Sequence, residues 1–147
     1  MFSEWATRWG IPQAAIDELH QQIIGNAEMA RHGAIGTSEE RVQASVRYQA
    51  AQFGRMILWR NNVGAMLDPK SGRMVRYGLA NDSKAMNNRT KSSDLIGIGP
   101  GGLFTARECK PVGWRYMATD RERAQLNFLE IVVALGGDGK FTTGNLF

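Results

Sequence analysis

The chain has 147 residues, 43% apolar and 22% charged, which is one domain's worth of ordinary globular composition and excludes a disordered, collagen-like or coiled-coil chain. One cysteine excludes an internal disulfide, and that cysteine with His20 and His32 is too little for a Cys/His zinc site. The net charge of +4 is uneven: residues 1–40 carry six acidic and two basic residues, the remainder sixteen basic and eight acidic, so a polyanionic partner fits the larger part.

In chain order, Ile16, Leu19 and Ile23 predict a helix from Ile11 to about Ile24, with Pro12 in its first turn and Gly25 as its stop. Its acidic polar face marks an accessory element. Thr37-Ser38-Glu39-Glu40 reads as a capping box, with Thr37 as cap and Glu40 at the third position. It opens a second helix from Ser38 to about Phe53, with Val42, Val46, Ala50 and Phe53 at helical spacing and Gly54 as its stop. Arg55–Arg60 reads as a buried strand, Asn61-Asn62-Val63-Gly64 as a turn, and Arg73–Tyr77 as a short strand. Asn81–Ser92 is polar and reads as a mobile loop. Asp94–Gly99 and Leu103–Lys110 form a β-hairpin about Gly99-Pro100-Gly101-Gly102. Thr119-Asp120-Arg121-Glu122 is a second capping box, opening a helix with Ala124, Phe128, Ile131 and Leu135 on one face. Gly136-Gly137 ends that helix, and Lys140–Thr143 reads as a last strand.

This order predicts a single mixed α/β domain: a mixed central sheet flanked by helices over 36–147, with 1–35 as an N-terminal helical extension. The longest apolar stretch, Leu126–Leu135, contains Asn127 and Glu130 and is far below the roughly 20 residues that span a bilayer. Glu4 and the lack of a basic start speak against a secretory leader. The expected setting is a reducing, cytoplasmic compartment, with no membrane partner.

Two glycine motifs carry no nucleotide site. Gly97-Ile98-Gly99-Pro100-Gly101-Gly102 matches G-x-G-x-x-G, but a strand follows where the fingerprint needs a helix N-terminus. Gly139-Lys140 is followed by Phe141, not the Ser or Thr of a phosphate loop. No nucleotide cofactor is expected.

The informative constellation is Asp94 with Glu108-Cys109-Lys110. A hairpin centred on Gly101 pairs residues whose numbers sum to 202, which sets Asp94 opposite Glu108, with Cβ atoms roughly 4.5–5.5 Å apart. Lys110, two residues on, shares that face. Ile96 with Ala106 and Ile98 with Phe104 make the turn end of the same face apolar. Two facing carboxylates repel unless a cation joins them, and Mg²⁺ prefers such oxygen ligands. The spacing alone also admits a turn aspartate beside a surface Glu–Lys pair worth about 0–1 kcal/mol.

The flanking residues add to this. Arg60-Asn61-Asn62-Val63-Gly64, Arg76-Tyr77-Gly78, Ser92-Ser93-Asp94-Leu95-Ile96-Gly97-Ile98, Phe104-Thr105-Ala106-Arg107-Glu108-Cys109-Lys110-Pro111, Gln125 with Phe128-Leu129, and Gly136-Gly137 appear in that order. Over roughly residues 38–143 the chain resembles the VRR-NUC (virus-type replication-repair nuclease) family of the PD-(D/E)XK superfamily, in its small, stand-alone phage and bacterial form. The resemblance implies a restriction-endonuclease-like fold and hydrolysis of DNA phosphodiesters with Mg²⁺ or Mn²⁺. It further implies a homodimeric Holliday-junction resolvase in a bacterial cell or phage-infected host. Flaps, nicks or linear duplex as the target, and a catalytically silent DNA-binding module, are the alternatives.

By the same resemblance Asp94 and Glu108 are metal ligands, joined by the Cys109 carbonyl, and Lys110 is the catalytic lysine. Glu40 matches the family's N-terminal glutamate and completes the metal site, directly or through water, in preference to its neighbour Glu39, although a capping-box glutamate is explained without any metal. Gln125 matches a glutamine that binds the scissile phosphate or the water. Ser93 stands where the superfamily has its proline. Arg60, Arg76, Arg89, Lys91, Arg107, Arg115 and Arg121 are candidate phosphate contacts, which give affinity rather than sequence specificity. Trp114 and Tyr116 either stack on an unpaired base or pack a dimer.

Overall fold

The computed structural model describes residues 2–24, 38–52 and 56–146. Its helices are α1 (Phe2–Arg8), α2 (Gln13–Ile24), α3 (Glu39–Gln52), α4 (Lys84–Arg89) and α5 (Asp120–Ala134). Its strands are β1 (Ile57–Arg60), β2 (Gly64–Leu67), β3 (Met74–Tyr77), β4 (Leu95–Ile98), β5 (Phe104–Cys109) and β6 (Asp138–Thr142).

The hairpin of β4 and β5 is the centre of the molecule. A short 3₁₀ turn at Pro100–Gly102, with Gly101 and Gly102 at positive φ, reverses the chain. The register is the one the turn dictates: Leu95 pairs with Arg107, Ile96 with Ala106 and Ile98 with Phe104. β1 pairs antiparallel with β4 from Ile57↔Ile98 to Arg60↔Leu95. β6 returns parallel to β5 through the α5 crossover, from Thr105↔Asp138 to Cys109↔Thr142. The result is a mixed four-stranded sheet in the order β1-β4-β5-β6. Gly97 lies where a Cβ would collide with the Ile57 carbonyl, so the close β1–β4 pairing requires glycine there.

Each face of the sheet has its own core. Val42, Val46 and Ala50 of α3 pack with Leu58, Leu95, Cys109 and Leu146. Phe128, Leu129 and Val132 of α5 pack with Ala106 on the opposite face. Pleat alternation along β5 therefore turns Arg107 and Cys109 to the α3 side, and Ala106 and Glu108 to the α5 side. The Thr119 capping box is present in full: the Thr119 hydroxyl accepts from Glu122 N, and the Glu122 carboxylate accepts from Thr119 N.

Several expectations are corrected. Residues 81–92 contain α4, capped by the Ser83 hydroxyl accepting from Met86 N, rather than a structureless loop. Gly64 opens β2, which pairs with β3 in a separate two-stranded ribbon. β1 is an edge strand; Leu58 is buried, but Trp59 and Arg60 are exposed. Ile131 of α5 and Leu135 just past its end face solvent, and Leu129 and Val132 take the core positions. α1 has no counterpart in the sequence reading. The second helix spans Glu39–Gln52 with Val42, Val46 and Ala50 buried, while Thr37, Phe53, Gly54 and Arg55, like Gly25, lie outside the described residues. No described helix is long and apolar enough to cross a membrane.

Candidate metal centre

The β4–β5 ladder ends at Leu95, one residue inside Asp94. Asp94 is then held by its own atoms: its backbone carbonyl accepts from Asn61 N at 2.8 Å, and Oδ2 accepts from Cys109 N at 2.9 Å. In an extended strand the N–H and C=O of one residue point the same way, so the Cys109 carbonyl is turned to this edge as well. Lys110 N donates to Thr142 O on the opposite side, in keeping with that alternation. Glu108, 1% exposed, projects from the α5 face of β5.

The third carboxylate comes from the first turn of α3. Glu39, Asp94 and Glu108 each present an oxygen, and these oxygens lie within 4.8 Å of one another. Glu40 is exposed and does not join them, which corrects the assignment of the helical ligand. The helix period explains the exchange. Glu39 precedes Val42 by three residues and Val46 by seven, which puts it on the sheet-facing stripe. Glu40 lies about 200° from Val42 around the axis. That stripe was legible in the sequence and is the signal that distinguishes the two.

Lys110 and Gln125 close the site. Lys110 Nζ donates to Glu108 Oε1 at 3.0 Å and to Gln125 Oε1 at 2.8 Å, and Gln125 Nε2 donates to Glu108 Oε1. All three side chains are buried. Trp114 and Phe141 stand with ring centroids 5.8 Å from the Lys110 ammonium and 4.9 Å from each other. Trp114 Nε1 donates to Glu122 Oε1 at 2.9 Å, which holds the ring in place beside Lys110.

The electrostatics follow from burying like charges together. Burial, and then the Asp94 carboxylate, push the Glu108 carboxyl up to about 7, against the opposing pull of Lys110. Asp94 is also raised, first by burial, although its bond from Cys109 N opposes the shift and Glu39 adds to it. The Cys109 thiol is pushed up by burial and by Asp94, which leaves it a neutral core group. A divalent cation would relieve the repulsion, and three carboxylate oxygens are a donor set that such a hard ion takes. Ser93, buried beside Asp94, carries the one buried side-chain nitrogen or oxygen without a hydrogen-bond partner among the described residues. The donor chemistry therefore fits a divalent ion.

Asp94 and Glu108 open into a hollow of about 350 Å³ bordered by Asn61, Arg76, Lys91, Ser93, Arg121 and Gln125, among others. A larger hollow of about 1000 Å³ between α4 and α5 shares Asn87, Lys91 and Arg121 with it and is also lined by Arg89. Arg76, Lys91 and Arg121 line the same hollow as Asp94 and Glu108, and Lys91 is pushed below its ordinary value by burial and then by Arg121 and Arg76.

The predicted phosphate contacts separate accordingly. Arg76, Lys91, Arg89 and Arg121 line the two hollows. Arg60 on β1 and Arg115 in the 111–118 segment are exposed. Arg107 is a correction. It is 0% exposed, bonds to the carbonyls of Ala106, Asp138 and Leu146, and pairs with the Asp138 carboxylate, so it holds the sheet to the C-terminal segment and cannot reach a phosphate. Its place on a central strand, on the face opposite Glu108, was the available signal. No known family, curated protein or solved structure matches the chain.

Proposed function

We propose that this chain is a Mg²⁺-dependent, structure-selective DNA endonuclease of the PD-(D/E)XK type, acting on branched DNA such as a four-way junction. The observation that carries the reading is the convergence of Glu39, Asp94 and Glu108 with Lys110 and Gln125 beneath a cluster of cations. Carboxylates alone make a metal site; a buried lysine and amide bound to one of those carboxylates, beneath cations, make a site for cutting a polyanion.

Glu39, Asp94, Glu108 and the Cys109 carbonyl would hold the ion. When bound, it supplies charge stabilisation for the phosphoryl oxygens and lowers the pKa of a water. The chain's own groups do the rest. Arg76, Lys91 and Arg121 receive the backbone phosphates. The Gln125 amide orients the scissile phosphate or the attacking water. The Lys110 ammonium holds that water in line and offsets negative charge as the new P–O bond forms and the bond to the leaving 3′ oxygen breaks. The attacking water gives up a proton to solvent and the leaving 3′ oxygen takes one from solvent, so the products are a 5′-phosphate and a 3′-hydroxyl. Burial of Lys110 keeps its charge close to the reacting atoms and away from bulk screening. A homodimer would place two such sites on two strands.

The test is cleavage of a labelled four-way junction beside a linear duplex of the same sequence. It is run with Mg²⁺, with EDTA, and with Glu108→Ala protein. Paired incisions in the junction alone, lost with EDTA and in the variant, are the expected result. Folded protein that cuts neither DNA with Mg²⁺ or Mn²⁺ would overturn the proposal.

A further inference from the structure

The β2–β3 ribbon stands apart from the main sheet, yet its base is tied to the site. Asn81, buried, donates to the carbonyls of Gly64 and Tyr77 and accepts from Arg76 Nη1. Ser92 Oγ donates to Leu79 O, and Asn61 Nδ2 donates to Ser92 Oγ and to Ser93 O, beside Asp94. The ribbon therefore cannot swing freely relative to the carboxylates.

Beyond that base the ribbon is apolar on both faces. Cross-strand partners share a face. Ala65 with Arg76, then Leu67 with Met74, form the face that starts at the catalytic hollow; Met66 with Val75 form the other. Leu67 and Met74 are 59% and 61% exposed, and Met66 and Val75 are exposed as well. A two-stranded ribbon with apolar side chains in water on both faces is marginal by itself. Apolar pairs on both faces suit insertion into an opening better than docking on one flat surface.

Charge indicates the occupant. Lys70, Arg73 and Arg76 are the ribbon's cations, and neither Lys70 nor Arg73 has an ion pair among the described residues. Asp68 is its one acid, and its carboxylate is occupied by the turn, accepting from Lys70 N, Ser71 N and Ser71 Oγ. A basic, apolar-sided ribbon continuous with a candidate phosphodiester site fits nucleic acid.

Resting on the proposed function, we infer that the β2–β3 ribbon enters the opening of a branched DNA. Leu67 and Met74 would lie against unstacked bases at the branch point, with Lys70 and Arg73 on the flanking phosphates. A continuous duplex offers no such opening without unstacking, so the ribbon is the element that selects branched DNA.

The test uses the full chain with Leu67→Ser and Met74→Ser combined, both exposed positions with little folding cost. Binding to a four-way junction and to linear duplex is followed by anisotropy in Ca²⁺, with 2-aminopurine at the branch point. The expected result is a loss of at least about tenfold on the junction with duplex affinity within about twofold. The branch-point fluorescence change is lost with it. Lys70→Glu with Arg73→Glu weakens both DNAs and lowers the salt dependence. An unchanged junction preference in the serine variant overturns the inference. So does conversion of a dimer to a monomer in sedimentation, which would assign the ribbon to a second copy. Failure of the unaltered chain to bind any DNA removes the proposed function and the inference together. Binding and cutting with an unmoved preference removes the inference alone.

Discussion

Replacing Glu108 by glutamine should stabilise the metal-free protein at neutral and alkaline pH. The unfolded chain titrates this carboxyl near 4.5, and the folded protein titrates it near 7, because burial and Asp94 disfavour its charged form. For a carboxyl raised on folding, the native state binds more protons between those values. Its contribution is therefore fully present below about pH 4.5 and is lost as pH rises through about 7. A shift of that size corresponds to about 3 kcal/mol at roughly 1.4 kcal/mol per pH unit. The opposing pull of Lys110, which donates to Glu108 Oε1, is already contained in that shift. Glutamine keeps the shape, accepts the same bonds through its carbonyl, and cannot ionise. Thermal unfolding of Glu108→Gln beside the unaltered chain, both in EDTA, should show little difference at pH 5. At pH 8 the variant should gain about 6–12 °C, at roughly 2–4 °C per kcal/mol for a chain of this size. With millimolar Mn²⁺ at pH 8 the order should reverse or close, because only the unaltered chain gains from binding the ion. Equal melting of the two proteins at pH 8 in EDTA would refute the claim that Glu108 is held charged at a cost.

Other outcomes follow from the same geometry. Glu39→Gln should weaken Mn²⁺ binding by at least about tenfold in calorimetry, while Glu40→Gln leaves it within about twofold; the reverse ranking would return the ligand to Glu40. Arg107→Met should cost about 2–4 kcal/mol in urea unfolding, since it removes the guanidinium's bonds to three carbonyls and leaves Asp138 with Lys140 as its ion-pair partner, yet leave the salt dependence of DNA binding by the folded protein unchanged. Gly97→Ala should cost at least about 1–3 kcal/mol in the same assay, because the added methyl meets the Ile57 backbone carbonyl rather than a movable side chain. Leu135→Glu should be neutral within about 0.5 kcal/mol, whereas Leu129→Glu should prevent folding, which reports the true buried stripe of α5.

The features legible in the sequence are those set by short-range physics. The Gly99–Gly102 turn fixes the register of its two strands, and the register places Asp94 beside Glu108 with Lys110 on the same face. The Thr119 capping box and the Gly136-Gly137 stop bound α5 because helix ends are satisfied by neighbours in the chain. α4 was obscured by its Asn- and Ser-rich composition, which favours turns, although Ser83 was a readable cap.

What the tertiary structure decided are relations between elements. Which glutamate of α3 joins the carboxylates depends on how that helix is rotated about its axis against the sheet. One residue turns a side chain by about 100°, which is enough to exchange Glu39 for Glu40. Whether Arg107 meets solvent depends on Asp138 and Leu146, more than thirty residues away along the chain, covering that face of β5. Which side of α5 is buried depends on where it crosses β5 and β6, so Ile131 and Leu135, apolar and correctly spaced, are left in water. The ribbon's place beside the site is set by Asn81 and Asn61, polar residues that read as loop in one dimension and serve as joints in three. Local sequence fixes backbone reversal and pleat because these depend on adjacent residues. The rotation and docking of one element on another depend on packing across the whole core, which no single segment encodes.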